Sequence, residues 1–566
     1  MRIIIYLLLF LIFSCSDNNQ TTSNNSIPFS EEIDIDDDFY FEKGVYQVID
    51  NVYVAIGYGL ANSVLIVGDT SNIIIDTTED PKLGAQINAE FKKISNLPNE
   101  AIIYTHSHVD HWRGAPGFYE EDTKVYAHST FEKGFFDQNN LLRPILTERG
   151  MKQFGHFLPD SLKRGHGLGF TLNFDFEQPA VIYPTNFFDQ QTSQLSVGGV
   201  DLEIQHTPGE TDDQIIIYYP EKDVVISADN YYMRFPNLYT IRGTPYRDLV
   251  GWVNSIDLMR YLEPEYLVPS HTRPIVGKEN INTLLTTYRD AIQFVHDQTV
   301  RLMNLGLDPN EIAERLVLPK HLGDSPYLKE FYGTPEWSAK NVFSGYLGWF
   351  DGNPSSLKPL PLKDEAEKII QLSGDWNSLF KVAEDAFLVN DFQWSLQLTD
   401  YLLRSRPDDQ KTKLLRKSAL EALGRKESNP NSRYYYLSSA AQLDENYQEN
   451  DILLPSLEVI QKYPIESMME TLKVNVIPEK SLNKNIQLLF TFTDSPKSFS
   501  LFLRRGVLEV QPFMITGSSV QIKSSENDLK AILSGVKSLP ISLVNGSLKV
   551  EGSRADLLSF FSSLRN

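Results

Sequence analysis

The stretch Thr105-His-Ser-His-Val-Asp-His111 follows directly on the apolar run Ala101-Ile-Ile-Tyr104, and it decides the fold. Residues two apart in an extended segment face the same way, so His106 and His108 at the end of a strand can bind one metal ion. The aspartate and histidine that close the stretch stand where a helix is expected to begin, and they can turn toward a second ion about 3.5–4 Å away. The motif therefore predicts a two-metal hydrolase site.

Short runs of β-branched residues alternate with helical patterns from residue 44 to about residue 277. Such runs are typical of strands buried on both faces of a sheet, and the turns after them tend to carry function. The alternation predicts an α/β domain over residues 40–280. The predicted strands cover residues 62–68, 72–76, 101–105, 214–219 and 224–229.

The motif and its position directly after a strand resemble those of the metallo-β-lactamase superfamily. In that superfamily, further metal ligands lie in loops after later strands. The resemblance implies an αββα sandwich and three more ligand segments. They read His206-Thr-Pro-Gly-Glu210, Ser227-Ala-Asp229-Asn230 and Val268-Pro-Ser-His271. The superfamily usually has histidine directly after the glycine of the first segment, whereas this chain has Glu210.

Glu210 and the residues after it resemble the metal-dependent alkylsulfatases of that superfamily. The resemblance also rests on Asn237-Leu-Tyr-Thr-Ile-Arg-Gly243, on Arg247-Asp248 and on Tyr346-Leu-Gly-Trp-Phe-Asp-Gly-Asn-Pro354. It implies three domains in the family's order: a catalytic domain over residues 40–280, an all-α dimerisation domain over 281–450, and an α+β domain similar to sterol carrier proteins over 451–566. A homodimer is the expected assembly.

The resemblance also implies seven ligands, with Asp229 bridging the two ions. The remaining ligands are His106, His108 and Glu210 for one ion, and Asp110, His111 and His271 for the other. Zinc is the default for nitrogen and oxygen ligands, with manganese and iron left open. Three carboxylates and one hydroxide balance two divalent cations, so the main task of the ions is to make hydroxide available near pH 7.

The segment from Asn237 to Arg247 is implied to bind the sulfate group. A sulfate monoester spreads one negative charge over three oxygen atoms, which suits a guanidinium fork and hydroxyl or amide donors. Arg242 is the first candidate, supported by Asn237, Thr240 and Arg247, although each of the four could be an ordinary loop residue. Tyr346 could donate a hydrogen bond from the helical domain, or it could serve in core packing.

Together these features predict hydrolysis of alkyl sulfate esters to alcohol and inorganic sulfate by a metal-activated hydroxide, with Asp229 and Arg242 as catalytic residues. The residues do not decide whether the S–O or the C–O bond breaks. Another ester hydrolase of the same fold, such as a lactonase or phosphoesterase, is an alternative because a fold does not fix a substrate. Arg113 stands where the family usually has glycine, and Asp229 where it has glutamate, so substrate preference is open.

The N-terminus has the pattern of an export signal. An apolar run over residues 3–13 is about half the length of the roughly 20 residues that span a membrane. It leads into Leu11-Ile-Phe-Ser-Cys15, which resembles the lipobox of bacterial lipoproteins, and Cys15 is the only cysteine among 566 residues. We expect a signal peptide over residues 1–15, lipid anchoring through Cys15 in the bacterial cell envelope, at the periplasm or cell surface, and a polar tether over residues 16–39.

The composition argues against a nucleic-acid partner and against an internal disulfide bond. The net charge is −22 without a dense basic run, so a nucleic-acid surface is excluded and any anion site must be locally cationic. A single cysteine excludes an internal disulfide.

The second half of the chain changes character. Residues 376–423 have apolar spacings that resemble a tetratricopeptide-type helical pair, and two plain amphipathic helix pairs explain them equally well. From about residue 455 the pattern alternates again and predicts the separate α+β domain. An alternative function that is not enzymatic is a tethered lipid-binding protein. The seven predicted metal ligands argue against this alternative. The apolar side of the first predicted strand is Ile486, Leu488, Phe490 and Phe492.

Overall fold

The computed structural model describes residues 41–137, 141–163, 165, 167–169, 181–444, 460–461 and 463–564. The predicted signal peptide, the tether and Cys15 lie outside the described residues. Among the described helices, none combines the length and the apolar character that crossing a membrane requires.

The first sheet has seven strands in the order in which they occur along the chain. The first four pair antiparallel, and the fourth to the seventh pair parallel. The third and fourth strands are rich in valine and isoleucine because both faces of the sheet are covered there. The strands are β1 (Gly44–Ile49), β2 (Val52–Ile56), β3 (Ser63–Val67), β4 (Asn72–Ile75), β5 (Asn99–Ile103), β6 (Lys124–His128) and β7 (Asn186–Phe188).

The second sheet has six strands, and each strand again pairs with its neighbours along the chain. Only the fourth and fifth of them along the chain pair in parallel. The strands are β8 (Thr192–Val197), β9 (Val200–His206), β10 (Ile215–Tyr219), β11 (Val224–Ala228), β12 (Tyr266–Pro269) and β13 (Ile275–Val276).

The two sheets face each other across one apolar core. Val54 and Ile75 of the first sheet and Ile204 and Ile217 of the second belong to the same buried cluster. A second cluster joins the other face of the first sheet to helices. The αββα sandwich expected from the sequence is confirmed. The helices of this part are α1 (Pro81–Ile94), α2 (Val109–Trp112), α3 (Phe131–Phe136), α4 (Arg143–Gln153) and α5 (Leu249–Tyr261).

Parallel pairing brings the ends of several strands to one edge of the sandwich. In the first sheet Ile75 of β4 is in register with Ile103 of β5, so the segments that follow these strands leave side by side. In the second sheet Ala228 of β11 is in register with Pro269 of β12. Turns after parallel strands collect functional groups at one sheet edge, and the predicted ligand segments begin there.

The helical part follows the sandwich. Several of its helices begin at an aspartate that accepts a backbone N–H of the first turn, as Asp375, Asp391 and Asp409 do. The helices are α6 (Lys278–Met303), α7 (Pro309–Arg315), α8 (Lys320–Gly323), α9 (Pro335–Leu347), α10 (Leu362–Leu372), α11 (Trp376–Leu388), α12 (Phe392–Ser405), α13 (Gln410–Lys426) and α14 (Pro430–Ala441).

The C-terminal part is a five-stranded mixed sheet packed against helices, as the alternation predicted. Its last strand has four residues and follows a helix that is capped by Gly546 with a φ of 79°. Its strands are β14 (Asn485–Phe492), β15 (Ser498–Arg504), β16 (Val507–Gln511), β17 (Val520–Ser524) and β18 (Lys549–Gly552). Its helices are α15 (Ile465–Val474), α16 (Pro478–Ser481), α17 (Glu526–Leu533), α18 (Leu539–Asn545) and α19 (Arg554–Phe561).

Candidate metal centre

The first two histidines of the motif converge just beyond β5. Both side chains are buried, and His106 Nε2 lies 3.0 Å from His108 Nδ1. Between them, the backbone carbonyl of Ser107 accepts a hydrogen bond from Trp112 Nε1 over 3.0 Å. This bond ties the extended segment to α2 and holds the two imidazoles on the same side, as the spacing predicted.

A second group forms at the start of α2. His111 Nε2 lies 3.6 Å from Asp110 Oδ2, and His271 Nε2 lies 3.7 Å from the same oxygen. His271 comes from the turn after β12, so the two sheets meet at this point. The three ligand atoms lie close enough together to hold one metal ion.

Asp229 lies between the two groups. Its Oδ2 is 3.3 Å from His271 Nε2, 3.5 Å from His111 Nε2 and 3.8 Å from His106 Nε2. The carboxylate therefore contacts both groups, as a bridging ligand must. The aspartate reaches this position although the family usually has the longer glutamate.

Glu210 lies at the edge of the first group. Its Oε1 is 4.0 Å from His108 Nδ1 and accepts a hydrogen bond from Arg247 Nη1 over 2.7 Å. Its Oε2 is buried and forms no hydrogen bond with a described residue. One carboxylate oxygen is thus occupied by a guanidinium, and the other is open to a cation.

The donor set fits two divalent ions. Nitrogen and oxygen ligands sit about 2.0–2.2 Å from a tetrahedral ion, so two ligands of one ion are roughly 3.3–3.6 Å apart. The separations around Asp229 and Asp110 fall close to this range. Three buried atoms of the cluster form no hydrogen bond with the described residues: His111 Nε2, Asp229 Oδ1 and Glu210 Oε2. Buried polar atoms are nearly always paired, so cation binding is the natural role for these three.

The pKa shifts of the cluster also indicate a site that favours bound positive charge. Burial lowers the pKa of His106 and His108 well below the ordinary value for imidazole, and neighbouring histidines add to this effect. Burial also opposes protonation of His111 and His271, but Asp229 outweighs it and raises the pKa of His271 to about 9. In turn, these two imidazoles hold the pKa of Asp229 well below its usual range despite burial. The carboxylates therefore retain protons on two histidines wherever no other cation is bound.

Side chains that the sequence did not single out orient the ligands. Asp76, directly after β4, accepts from Thr105 N over 2.9 Å and lies 2.7 Å from His111 Nδ1. His271 Nδ1 lies 2.9 Å from the carbonyl of Leu60. Such partners set the tautomer of a ligating imidazole, so its Nε2 faces the ion. Asp76 ends an apolar strand just as Asp229 does, and that signal could have identified it.

The predicted anion segment lies against this cluster. Arg242 Nη2 is 3.4 Å from His108 Nε2. Thr240 Oγ1 donates to Gln153 Oε1, and the carbonyl of Asn237 accepts from Arg247. Asn237, Thr240, Arg247 and Gln153 are buried, and Arg242 is partly buried. Arg242, Thr240, Asn237 and Arg247 are thus brought together, and Gln153 joins them without having been predicted.

Two predicted positions have a different setting. Tyr346 is 53% exposed on α9, and its Oη lies 2.8 Å from His296 Nε2. Its ring packs near Tyr246, one residue before Arg247, so it is neither a core residue nor a contact of the metal ligands. Arg113, the departure from glycine, donates from Nη1 to the carbonyl of Glu79 over 3.0 Å in the loop after β4.

Family models match almost the whole described chain. The metallo-beta-lactamase superfamily matches residues 56–271, alkyl sulfatase dimerisation matches residues 308–446, and alkyl sulfatase C-terminal matches residues 454–566. The three matches follow the domain order expected from the sequence.

Similar proteins agree with these matches. A linear primary-alkylsulfatase from Pseudomonas sp. is 34% identical over 506 residues, which cover 86% of this chain and 96% of that protein. An (R)-specific secondary-alkylsulfatase from Pseudomonas sp. is 28% identical over 535 residues, covering 92% of this chain and 80% of that protein. The solved structure of the stereoselective inverting sec-alkylsulfatase from Pseudomonas sp. matches with a TM-score of 0.85 and 27% identity, over 93% of this chain and 85% of that one. The chain therefore belongs to the alkylsulfatases of the metallo-β-lactamase superfamily.

Proposed function

We propose that this chain hydrolyses alkyl sulfate esters to the alcohol and inorganic sulfate. The observation that carries the proposal is the 3.4 Å approach of Arg242 Nη2 to His108 Nε2. A partly buried guanidinium and the candidate metal cluster therefore border the same space. The protein carries a net charge of −22, which repels anions at long range, so an anionic ester needs positive charge within the site itself. The guanidinium supplies that charge. The names of the similar proteins support the same substrate class.

The cofactor we propose is a pair of divalent ions, with zinc as the first choice. His106, His108 and Glu210 would hold one ion, Asp110, His111 and His271 the other, and Asp229 would contact both. Mixed imidazole and carboxylate donors without thiolate suit zinc, and they also accept manganese or iron. When bound, such ions would lower the pKa of a coordinated water toward 7 and would place positive charge beside the substrate.

The side chains around the cluster have separate tasks in this proposal. Arg242 binds the sulfate oxygens and stabilises the negative charge that they carry during the reaction, because a guanidinium already held beside the cluster needs little reorganisation. Thr240 adds a hydroxyl on the same segment. Arg247 neutralises Glu210 and anchors the carbonyl of Asn237, so it keeps the segment against the cluster. Asp76 fixes His111 from behind.

The arrangement serves attack at sulfur and attack at carbon equally well. Hydrolysis in ¹⁸O-labelled water separates the two reactions. Label in the sulfate shows that the S–O bond broke, and label in the alcohol shows that the C–O bond broke.

The role of Arg242 provides the first test. We expect Arg242→Ala to lower kcat/KM for dodecyl sulfate by roughly 10- to 100-fold, since a hydrogen bond to a charged group contributes about 1.5–3 kcal/mol. Arg242→Lys should recover part of the loss, because it keeps the charge and loses the planar fork. Full activity of the alanine variant, or no turnover of any alkyl sulfate by the parent protein, would exclude the proposal.

We also propose that two copies associate through the helical part. The match to alkyl sulfatase dimerisation supports this, and so do large apolar side chains exposed there, among them Leu372, Leu388 and Val389. Light scattering of the purified protein would give the mass of a dimer if this is so.

Export and lipid anchoring are a further proposal, supported by the apolar run over residues 3–13 and by Cys15. Labelled palmitate should enter the parent protein and not Cys15→Ser. Equal labelling of both would exclude Cys15 as the modified residue.

A further inference from the structure

Asp213 is a carboxylate that joins two segments of the candidate metal centre. Its Oδ1 accepts a hydrogen bond from Ser107 Oγ over 3.1 Å, and both side chains are buried. Ser107 lies between His106 and His108, whereas Asp213 lies three residues after Glu210. The two histidines and Glu210 are the ligands that we assign to one ion, which we call the first ion. One bond between side chains therefore connects both parts of the ligand set of this ion.

The bond between Ser107 and Asp213 is enclosed by neighbouring elements. At Gly134 of α3, an added Cβ would overlap Ser107 Oγ and would lie 3.5 Å from Asp213 Oδ1. Glycine thus leaves the room that the bond needs. The backbone carbonyl of Ser107 accepts from Trp112 at the same time. Ser107 is therefore held both by its backbone and by its side chain, and the histidines on either side of it are held with it.

The loop that carries Glu210 is closed at its base. The backbone N–H of Thr207 donates to the carbonyl of Gln214 over 2.8 Å, so residues 207–214 leave the sheet and return to it at one point. Asp213 lies at this base. A displacement of Asp213 would therefore be passed along a short closed loop to Glu210, whose Oε1 lies 4.0 Å from His108 Nδ1.

The other ion, which we call the second ion, has ligands that are held by different contacts. His111 Nδ1 lies 2.7 Å from Asp76 Oδ2, and His271 Nδ1 lies 2.9 Å from the carbonyl of Leu60. Neither contact includes the bond described above. Since such outer contacts fix the direction of a ligand before the ion arrives, each ion has a support of its own.

We infer that Asp213 is a positioning residue that serves the first ion and not the second. Through its bond to Ser107, it keeps the two histidines and Glu210 at the spacing that one ion requires. The inference rests on the metal pair of the proposed function and specifies how one of its ions is held. A residue that only stabilises the fold would affect both ions alike, so selectivity for one ion distinguishes the two roles.

Stepwise binding of zinc in competition with a chromophoric chelator tests the inference, because it gives a constant for each ion and does not depend on turnover. We expect Asp213→Ala to weaken one constant roughly 10- to 100-fold and to leave the other unchanged. Asp76→Asn should weaken the other constant. Asp213→Asn should retain most of the affinity, since its amide oxygen can still accept from Ser107. Asp212→Ala, which removes the exposed carboxylate next to Asp213, is the matched control and should bind zinc as the parent does.

Ser107→Ala is the second variant, and it removes only a hydroxyl group. If the two residues act through their shared bond, it weakens the same constant as Asp213→Ala does, and the double variant shows no further loss. Equal weakening of both constants, or losses that add in the double variant, would overturn the inference. Unchanged constants in both single variants would overturn it as well.

Two outcomes for the parent protein separate this inference from the proposed function. A parent that binds no zinc would overturn the inference together with the proposed cofactors. Two zinc ions bound with the expected selectivity, but without release of sulfate from any alkyl sulfate, would support the role of Asp213 and reject the proposed function alone.

Discussion

Arg247 donates a hydrogen bond from Nη1 to Oε1 of Glu210 over 2.7 Å, and both side chains are buried. The pair places a fixed positive charge against a carboxylate that we assign to a metal ion. Burial raises the pKa of Glu210, and Arg247 counteracts this and favours the charged carboxylate. The guanidinium and an ion at the adjacent site would therefore stabilise the same negative charge.

Replacement of Arg247 tests this shared role. We expect Arg247→Met to destabilise the metal-free protein by about 3 kcal/mol, because Glu210 is left buried without a partner. Added divalent metal should restore part of that loss, so the metal-induced rise in unfolding temperature should be larger in the variant than in the parent. Lys381→Met, which removes two exposed ion pairs, to Glu384 and to Asp385, is the control. Equal rises in the parent and in Arg247→Met would contradict the shared role.

Asp76 should matter for metal affinity without being a ligand. Its Oδ2 lies 2.7 Å from His111 Nδ1, and groups in this position typically contribute 10- to 100-fold, as a rough range, to metal affinity. We expect Asp76→Asn to weaken metal binding by about that factor in competition with a chromophoric chelator. Asp122→Asn, in an exposed turn, should bind metal as the parent does. Unchanged affinity in Asp76→Asn would show that the contact does not tune the site.

The C-terminal part contacts the metal motif through aromatic side chains. Tyr463 packs against Phe135 with ring centroids 5.9 Å apart, and Phe135 packs against Trp112 at 4.9 Å. Trp112 in turn bonds the carbonyl of Ser107, between the first two histidines. The C-terminal part is therefore a support of the site as well as a neighbour.

Tyr463→Ala should show this support. We expect a loss of about 3 kcal/mol in stability, as for other buried aromatic residues, and a lower activity toward alkyl sulfates of every chain length by the same factor. Phe513→Ala, at a residue of the same part that is 52% exposed, should have little effect on stability. If only long-chain substrates suffered in Tyr463→Ala, the effect would lie in substrate binding and the supporting role would be wrong.

His128 makes stability depend on pH. Its ring stacks on His206 with centroids 3.7 Å apart, and burial, with a further contribution from His206, lowers the pKa of His128 to about 4. The unfolded chain binds this proton near pH 6.5, so unfolding takes up a proton between pH 6.5 and pH 4. Stability from this site is complete above pH 6.5 and falls as the pH drops through that window. Allowing for solvent screening, we expect a loss of about 1–2 kcal/mol.

Denaturant unfolding between pH 4 and pH 7 measures this effect. His128→Asn should flatten the decline of the free energy of unfolding, while His321→Asn, at an exposed position, should leave the decline of the parent unchanged. Parallel pH profiles for all three proteins would rule out His128 as the source.

Much of the fold and of the candidate site could be predicted from the sequence, for physical reasons. The β-branched runs gave the strands because their side chains are buried on both faces, and His106 and His108 could be paired because strand geometry fixes their direction. The position of Asp76 at the end of an apolar strand is a comparable signal, but its partner His111 could not be assigned from the sequence, and neither could the role of Gln153. Asp76 reaches His111 only through the parallel register of β4 and β5, and Gln153 reaches Arg242 across 89 positions of the chain. Such contacts arise from the tertiary arrangement and leave no periodic signal in the sequence.

Titration of the metal-free protein with a divalent metal, with released sulfate measured at each step, tests the central claim most directly. A two-metal alkylsulfatase should release sulfate and dodecanol from dodecyl sulfate, with activity rising until two ions are bound per chain and disappearing with a chelator. Full activity with one ion or with none, or two bound ions without any release of sulfate, would contradict it.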